Sequence, residues 1–388
     1  MRKMATFEGY ERPDGSVGIR NYVTIIPTVA CANGVADMIV RAVPEAVSLY
    51  HCHGCGRAAE IAMHTNTLVG LGRNPNVAAV LVIGLGCETI HAEGLVLSIS
   101  ETGKPVQVLS IQDEGGSQKT AARGIEIVRK LIDDAKAIER KTFGFDRLCV
   151  GIECGGSDAF SGVTANPGVG IVADRIVDDG GTVILTETTE MIGTAHILAK
   201  RAASPEVASE IRRVIGAAEK RVDEILGPLA SLVIAPGNMD GGMSSIREKS
   251  LGCIIKGGSR TINEVIDYGT MPSKKGLIIM DGPGYDMESL AGLGATGAQL
   301  ILFTTGRGTP AGFPIVPVIK VASTSRFYRR MEDDIDINAG AVLEGKSLED
   351  VAEEIIGLTK EVAKGRQTKA EVNDRGGVIC LYSMNPAF

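Results

Sequence analysis

The sequence predicts an α/β protein of two α/β domains with mainly parallel sheets, and three observations support that prediction. The chain has 388 residues, 44% of them hydrophobic, which is longer than one hydrophobic core usually grows. Apolar, β-rich runs alternate with amphipathic helical stretches, as in βαβ units. A long charged helix ends near residue 140, and a new apolar strand begins at Cys149. We therefore place a domain boundary between 145 and 146, which gives domains of 1–145 and 146–388.

In the first domain, the β-rich runs predict strands over 21–29, 78–86 and 104–112. Helices are predicted over 34–45 and 117–140, because apolar residues there recur at spacings of three and four. A short strand around Leu49 leads into the segment HCHGCGR, residues 51 to 57.

The second domain continues the alternation of apolar strands and helices. A helix is predicted over 196–226, broken near Pro205 because proline cannot continue a helix. Strands are predicted over 149–153, 182–187, 231–237, 276–282, 299–306, 317–323 and 377–383.

The composition excludes several classes of function. A formal net charge of −7, with no block of five or more like charges, argues against a basic surface for nucleic acid or an anionic membrane. The N-terminus has no signal-peptide core, and no eighteen apolar residues run together. We therefore expect a cytoplasmic protein with a small-molecule partner. Its eight cysteines would remain reduced there, as buried residues or as ligands.

Reactive side chains follow the predicted strands, where parallel sheets bind their ligands. Thiolate and imidazole groups suit iron or zinc. Only Cys52 and Cys55 have CxxC spacing, so ligands drawn from separate loops indicate a catalytic metal. The alternative is that these cysteines only pack at strand ends and that the histidines bond to backbone. The candidate ligands are His51, Cys55, Cys87 and Cys154.

Two glycine-rich loops of the second domain could bind an anion. The loop at 154–170 opens a helix, where backbone N–H groups attract a carboxylate; it also carries Asp158, a candidate base, ligand or N-cap. The loop at 303–314 carries Arg307, whose guanidinium could clamp a carboxylate. The alternatives are an ordinary turn and a solvated arginine. Glu187 and Glu190 also lie at the end of a predicted strand. They could act as bases or could only cap the chain there. The polar groups taken as substrate-binding candidates are Arg57, Ser157, Asn166, Thr305 and Arg307.

Six segments, in order and across nearly the whole chain, resemble the altronate and galactarate dehydratase family, which includes the large subunit of sulfolactate sulfo-lyase. The segments are GYERPDGSVGIRNYVTIIPTVACAN, HCHGCGR, NPNVAAVLVIGLGCE, ECGGSDAFSGVTANPGVG, GNMDGGMSSIREKSLG and FTTGRGTPAGFPIVPVIKV.

The resemblance implies a hydro-lyase, a carbon–oxygen lyase that removes a proton beside a carboxylate and expels a β-hydroxyl. Members depend on iron, Fe(II), sometimes satisfied by manganese, Mn(II). Many also carry a small SAF-type domain, for which GYERPDG near residue 1 leaves no room. The chain therefore resembles the large subunit of a split enzyme with a separate small SAF-type partner, and we expect an oligomer.

On this resemblance, Cys55, Cys87 and Cys154, with or without His51, would hold iron between the domains. Arg307 and Lys256 would bind the carboxylate. The base would be His51 or Glu88.

Three alternatives stay open at this point. A 4Fe-4S cluster with one open iron would also use three thiolates. Sulfolactate would replace the sugar acid as substrate, although we favour the sugar acid. A metal-binding redox sensor would use the same thiols without turnover, but it leaves the carboxylate-binding loops without a role.

Overall fold

The computed structural model describes residues 4–232, 234–373 and 377–385. It confirms an α/β architecture with mainly parallel sheets: a four-stranded and a seven-stranded sheet are parallel, and a small three-stranded sheet is antiparallel. The predicted domain boundary between 145 and 146 stays a prediction.

The four-stranded sheet has the order β4-β3-β5-β6, and the antiparallel sheet has the order β2-β1-β7. Their strands are β1 (Thr6–Glu11), β2 (Val17–Gly18), β3 (Tyr22–Pro27), β4 (Val47–Ser48), β5 (Val77–Gly84), β6 (Val106–Ser110) and β7 (Lys141–Gly144). The helices of this part are α1 (Asn33–Ala42), α2 (Ile61–Arg73), α3 (Ala92–Ser100) and α4 (Ser117–Lys136).

The seven-stranded sheet has the order β10-β11-β9-β8-β12-β13-β14. Its strands are β8 (Cys149–Gly155), β9 (Thr182–Leu185), β10 (Ile262–Ile266), β11 (Gly276–Met280), β12 (Leu300–Thr305), β13 (Val318–Ala322) and β14 (Ile337–Asn338). The helices are α5 (Ala165–Asp178), α6 (Ala195–Leu198), α7 (Pro205–Leu226), α8 (Pro236–Asp240), α9 (Ile246–Cys253), α10 (Asp286–Ala295), α11 (Ser325–Arg330), α12 (Leu348–Ala363) and α13 (Lys369–Asn373).

The connections of the large sheet reverse direction at β8. From β8 the chain passes to β9 on one side, and later crosses to β12 on the other side. The carboxyl end of β8 is therefore the topological switch point, where open parallel sheets leave a crevice for a ligand.

Both faces of the large sheet are covered, as parallel sheets require. On β12, Leu300 and Leu302 pack into the core with α5 and α12. Ile301 and Phe303 point the other way, into a core that also contains Val80 of β5. The two parallel sheets thus share a hydrophobic core.

Two predicted strands are wrong. In 231–237, residues 231 and 232 belong to a 3-10 helix (Gly227–Leu232) and residues 236 and 237 belong to α8. Ile234 and Ala235 lie in neither a helix nor a strand, and Val233 lies outside the described residues. In 377–383 no strand is assigned, although Ile379 and Leu381 are buried. A short apolar run indicates that its residues are buried, but it does not show whether they form a strand or another structure. The break near Pro205 is confirmed, since α7 begins there with Ser204 as its N-cap.

In the part of the chain that the structure describes, no helix is both long and apolar enough to cross a membrane.

Candidate active site

Buried polar side chains meet at the carboxyl end of β8, at the switch point of the large sheet. Cys154 lies near the end of β8, and Glu187 and Glu190 follow β9. Cys253 is the last residue of α9, and Lys256 lies in the 3-10 turn that follows. Side chains far apart in the sequence are therefore brought into one buried group.

The first part of this group, which we name the thiol–carboxylate group, consists of Cys154, Glu187, Glu190 and Cys253. Each offers one ligand atom, and the four atoms lie within 4.8 Å of one another. Glu190 Oε2 lies 3.1 Å from Cys154 Sγ and 3.5 Å from Cys253 Sγ. All four residues are buried. Two sulfur and two oxygen donors at this spacing can bind a metal ion.

Two lysines compensate the charge of the thiol–carboxylate group. Lys256 Nζ donates to Cys154 Sγ at 2.9 Å, to Cys253 Sγ at 3.0 Å and to Glu187 Oε2. Lys249 Nζ donates to Glu190 Oε1. Burial lowers the pKa of Lys256, but the surrounding thiols and carboxylates outweigh burial and hold that pKa well above its usual value. Lys256 is therefore an ammonium that contacts three of the four donors.

Glu187 also belongs to a second group, with Glu153 and Asp286, whose oxygens again lie within 4.8 Å. Along β8, Cys154 and Glu153 point to opposite faces of the sheet, and Ser289 Oγ of α10 donates to Glu153. Cys154 N donates to Glu187 Oε2 at 3.1 Å. Glu187 thus lies at the end of the sheet and contacts groups from both faces.

Burial raises the pKa values of these three carboxyl groups. Burial and the neighbouring Glu187 hold the pKa of Glu153 well above its usual range. Burial and Glu190 raise the pKa of Glu187 to about 7, against the opposing effect of Lys256. Burial and Glu190 also raise the pKa of Asp286 to about 6. The group can therefore hold a proton near neutral pH, which is what general acid–base catalysis needs.

Glu187 has an uncommon backbone conformation. Its φ is +71°, and within 4–232, 234–373 and 377–385 it is the one residue other than glycine with a positive φ. A side chain with a Cβ is strained in that region, and such strain concentrates at functional sites. Glu187 Oε1 is also buried with no hydrogen-bond partner among the described atoms.

The predicted residues of the first domain lie at the carboxyl edge of the smaller parallel sheet. His51 Nε2 lies 2.7 Å from Pro27 O, and His51 Nδ1 accepts from His53 N at 3.2 Å. Burial lowers the pKa of His51 to about 4. Both ring nitrogens are thus engaged by backbone, so His51 has no free nitrogen for a metal or a substrate proton in this structure.

Glu88 is the other residue predicted as a base. Its carboxylate accepts from Thr28 Oγ1 at 2.6 Å, from Leu85 N at 3.1 Å and from Gly86 N at 2.7 Å. Burial raises its pKa, but these hydrogen bonds together outweigh burial and leave the pKa below its usual value. Glu88 is therefore an ionised group that fixes its loop.

Cys55 and Cys87 are exposed, on loops that touch where Thr89 N donates to Gly54 O at 3.0 Å. Among the residues with described positions, no group of three ligand-type side chains includes either of them or His51. The iron site predicted from Cys55, Cys87 and Cys154 is thus not assembled here. Instead, the thiol neighbour of Cys154 is Cys253, at 3.4 Å between the sulfurs, because β8 and α9 meet in the fold.

Three of the predicted polar residues organise loops through their own side chains. Asp158 accepts from Ser161 N and Ser161 Oγ, both at 2.8 Å, and from Ser323 Oγ at 2.9 Å. Asn166 bonds to Gly252 O and to Thr304 Oγ1. Thr305 Oγ1 accepts from Gly308 N. With these bonds made, the three side chains are held by protein partners.

Ser157 and Arg307 lie on adjoining loops beside Cys154, because Arg307 N donates to Gly156 O at 2.9 Å. Ser157 Oγ is buried and has no partner among the described atoms. The Arg307 side chain is 37% exposed and lies 3.5 Å from Asp240. By contrast, Arg57 donates to Asn385 O at 2.8 Å and fixes the C-terminal segment.

Sequence reasoning did not single out Cys253, Glu153 and Asp286. Cys253 precedes Lys256 by three residues, which places both at one end of α9, and this spacing was available in the sequence. Asp286 follows β11 and so obeys the same strand-end rule that selected the other candidates. Glu153 lies inside an apolar strand, where a carboxylate is rare enough to indicate function.

Two family models match the chain. Residues 9–136 match the family model described as D-galactarate dehydratase/altronate hydrolase, second domain. Residues 145–384 match that described as D-galactarate/altronate dehydratase, C-terminal, and this second match contains every residue of both buried groups.

Among curated proteins, the chain is similar to the altronate dehydratase of Bacillus subtilis, at 36% identity over 95% of this chain and 76% of that protein. It is 35% identical to the galactarate dehydratase (L-threo-forming) of Escherichia coli, over 98% of this chain and 77% of that protein. It is 34% identical to the (2R)-sulfolactate sulfo-lyase subunit beta of Chromohalobacter salexigens, over 95% of each chain. The chain therefore belongs to the D-galactarate/altronate dehydratase family.

Proposed function

We propose that this protein is a hydro-lyase that converts a sugar acid such as D-altronate or galactarate to a 2-oxo-3-deoxy acid. The observation that carries the proposal is the overlap of a metal-capable thiol–carboxylate group with a proton-holding carboxyl group at Glu187. An elimination of this kind needs both a stabilised enolate and a base beside the α-carbon. Membership of a dehydratase family supports the same reaction.

The two thiol and two carboxylate donors can hold a single divalent ion, and thiolate ligands suit iron or zinc. We propose Fe(II), the metal that the family resemblance implies, with Mn(II) as the alternative. The donors do not fit a 4Fe-4S cluster as well, because a cluster needs at least three thiolates and this group supplies two. A bound metal ion would supply a Lewis acid that stabilises the charge of the enolate. Lys256 contacts three of the same donors, so an ion would compete with its ammonium.

We assign the metal to Cys154, Cys253 and Glu190, and the role of base to Glu187. Glu190 Oε2 already lies beside both sulfurs. Glu187 Oε1 has no hydrogen-bond partner in the described part of the chain, and burial and Glu190 raise the pKa of Glu187 to about 7. A base with a pKa near the working pH is the most effective in proton abstraction.

Glu153, whose pKa burial and Glu187 hold well above its usual range, would hold the proton that the departing hydroxyl needs, and Asp286 would pass it on. Asp286 Oδ2 would lie 2.2 Å from a Cβ at Gly155, so the glycine admits this carboxyl group to the end of β8. The α-proton would pass to Glu187, the hydroxyl would leave as water with the proton that Asp286 passes on from Glu153, and the resulting enol would become the 2-oxo acid. Arg307 and Ser157, beside Cys154, would bind the substrate carboxylate.

The first test offers D-altronate, galactarate and sulfolactate to protein purified without oxygen and supplied with Fe(II) or Mn(II). We expect a 2-oxo-3-deoxy acid from a sugar acid, and loss of activity with a chelator. No turnover of either sugar acid with either metal would contradict the proposal.

Two matched variants separate the site proposed here from the one expected from HCHGCGR. Cys154→Ser should lose bound metal and activity, whereas Cys55→Ser should keep both, because Cys55 is exposed and outside the group. Bound metal is measured by elemental analysis. The reverse pattern would assign the metal to the first domain.

A second candidate function is the release of sulfite from (2R)-sulfolactate. It is supported by the similarity to the sulfo-lyase subunit beta, which is 34% identical over 95% of each chain. Sulfite in the assay above would establish it. The sulfo-lyase relative is named as a subunit, which also supports our proposal that a separate small SAF-type polypeptide assembles with this chain.

A further inference from the structure

Two buried cysteines lie side by side in the thiol–carboxylate group. Cys154 Sγ and Cys253 Sγ are 3.4 Å apart, and the two residues are 1% and 2% exposed. Cys154 is fixed by the pairing of β8 with β12, and Cys253 by the end of α9. The contact therefore joins two elements that are 99 residues apart in the sequence.

We propose that Cys154 and Cys253 are a peroxide-sensitive dithiol that closes to a disulfide and so switches the site off. A disulfide needs about 2.05 Å between its sulfurs, so the observed 3.4 Å must shorten by about 1.4 Å. Rotation of the side chains is the smallest movement that brings the sulfurs closer.

The reaction balances with hydrogen peroxide as oxidant. Peroxide oxidises one thiol to a sulfenic acid and releases one water. The sulfur of the other thiol then attacks the sulfenic sulfur, the S–S bond forms, and a second water leaves. The two thiols lose two electrons and peroxide gains them. A dithiol reductant reverses the step by exchange.

The disulfide would remove two donors from the metal-capable group at once. It would also take from Lys256 two of its three acceptors in the group, the sulfurs at 2.9 and 3.0 Å, and leave Glu187. The loss of activity rests on the proposed function, but the disulfide itself does not. The formation of the disulfide and the loss of activity can therefore be tested, and can fail, separately.

The test treats the metal-free, full-length protein with increasing hydrogen peroxide, blocks the remaining thiols with an alkylating reagent and maps the peptides by mass spectrometry. We expect a joined pair of peptides containing Cys154 and Cys253, which lacks two hydrogens and separates on reduction. The exposed Cys31 and Cys52 report whether the dose was sufficient. Alkylated Cys154 at such a dose, Cys154 linked to another cysteine, or Cys154 as a sulfinate would each overturn the proposal.

Variants and metal loading complete the experiment. Cys253→Ser should abolish the joined peptides, and Cys380→Ser, outside the group, should leave them unchanged. If Cys253→Ser does not fold, the peptide map of the unmodified protein still shows whether Cys154 and Cys253 are joined. Loading with Mn(II) should slow the cross-link, since the ion would occupy both sulfurs. An unchanged rate would contradict the metal assignment and leave the disulfide standing.

In the metal-reloaded enzyme, activity lost to peroxide should return with dithiothreitol in step with the disappearance of the joined peptides. Recovery that does not follow the cross-link would overturn the switch.

Discussion

Glu187 has both a strained backbone conformation and a carboxyl group in an unfavourable electrostatic environment. Its φ of +71° is strained for a side chain with a Cβ, and its carboxyl group is completely buried beside Glu153 and Glu190. Lys256 and Cys154 N offset part of that cost by donating to Glu187 Oε2. An arrangement of this kind persists because the surrounding elements hold it, and it is typical of active sites.

We expect Glu187→Gln to lower kcat on the order of 10²- to 10⁴-fold, the usual range for loss of a general base. The amide keeps the shape of the side chain but cannot accept the substrate proton. Steady-state kinetics on the substrate identified above measure the effect. The exposed Glu126→Gln is the control and should be unchanged. A Glu187→Gln variant with normal kcat would remove Glu187 from the mechanism.

At the scale of elements, the position of Lys256 depends on a close approach between α5 and the turn Ile254–Gly257. A Cβ at Gly170 of α5 would lie 2.4 Å from Ile255 O. Backbone atoms cannot move away as a flexible side chain can, so this glycine allows the turn to lie against α5. This turn places Lys256 within hydrogen-bonding distance of Cys154 and Cys253.

We predict that Gly170→Ala destabilises the protein by about 1–3 kcal/mol, the cost typical of overpacking, and that it lowers activity because Lys256 is displaced. Gly216→Ala on α7 is the matched control, since nothing lies within 4 Å of its Cβ. That change should be neutral or should stabilise by about 0.4–1 kcal/mol. Urea denaturation and kcat measure both variants. Equal behaviour of the two variants would show that the close approach has no role.

At the scale of the whole molecule, a buried ion pair ties the start of the chain to its end. Arg20, between β2 and β3, donates from Nε and Nη2 to Glu371 of α13, both at 2.8 Å. Thr368 N and Tyr22 Oη also donate to this carboxylate. Burial raises the pKa of Glu371, but these partners, Arg20 foremost, outweigh burial and lower it. The pair therefore contributes stability above the usual pKa of Glu371, and this is lost as pH falls through the lowered value.

Glu371→Gln should cost about 3–5 kcal/mol at neutral pH, because the Arg20 charge remains buried without its partner. The difference from the unmodified protein should shrink at a pH below the lowered pKa of Glu371. Urea denaturation at both pH values measures this. Glu353→Gln, which removes an exposed partner of Arg175, should change stability by about 1 kcal/mol or less. A difference that does not depend on pH would contradict the linkage.

The sequence by itself determined the alternation of strands and helices, the parallel sheets and the family, because local periodicity and strand-end motifs are properties of neighbouring residues. It also placed Cys154, Lys256 and Arg307 at strand ends or in loops that could meet. Only the tertiary structure decided which of the eight cysteines come together. Cys253 reaches Cys154 at 3.4 Å, while His51 is engaged by backbone. Such contacts depend on how the elements pack, and a strand-end rule identifies the edge of a sheet without fixing which side chains on that edge touch.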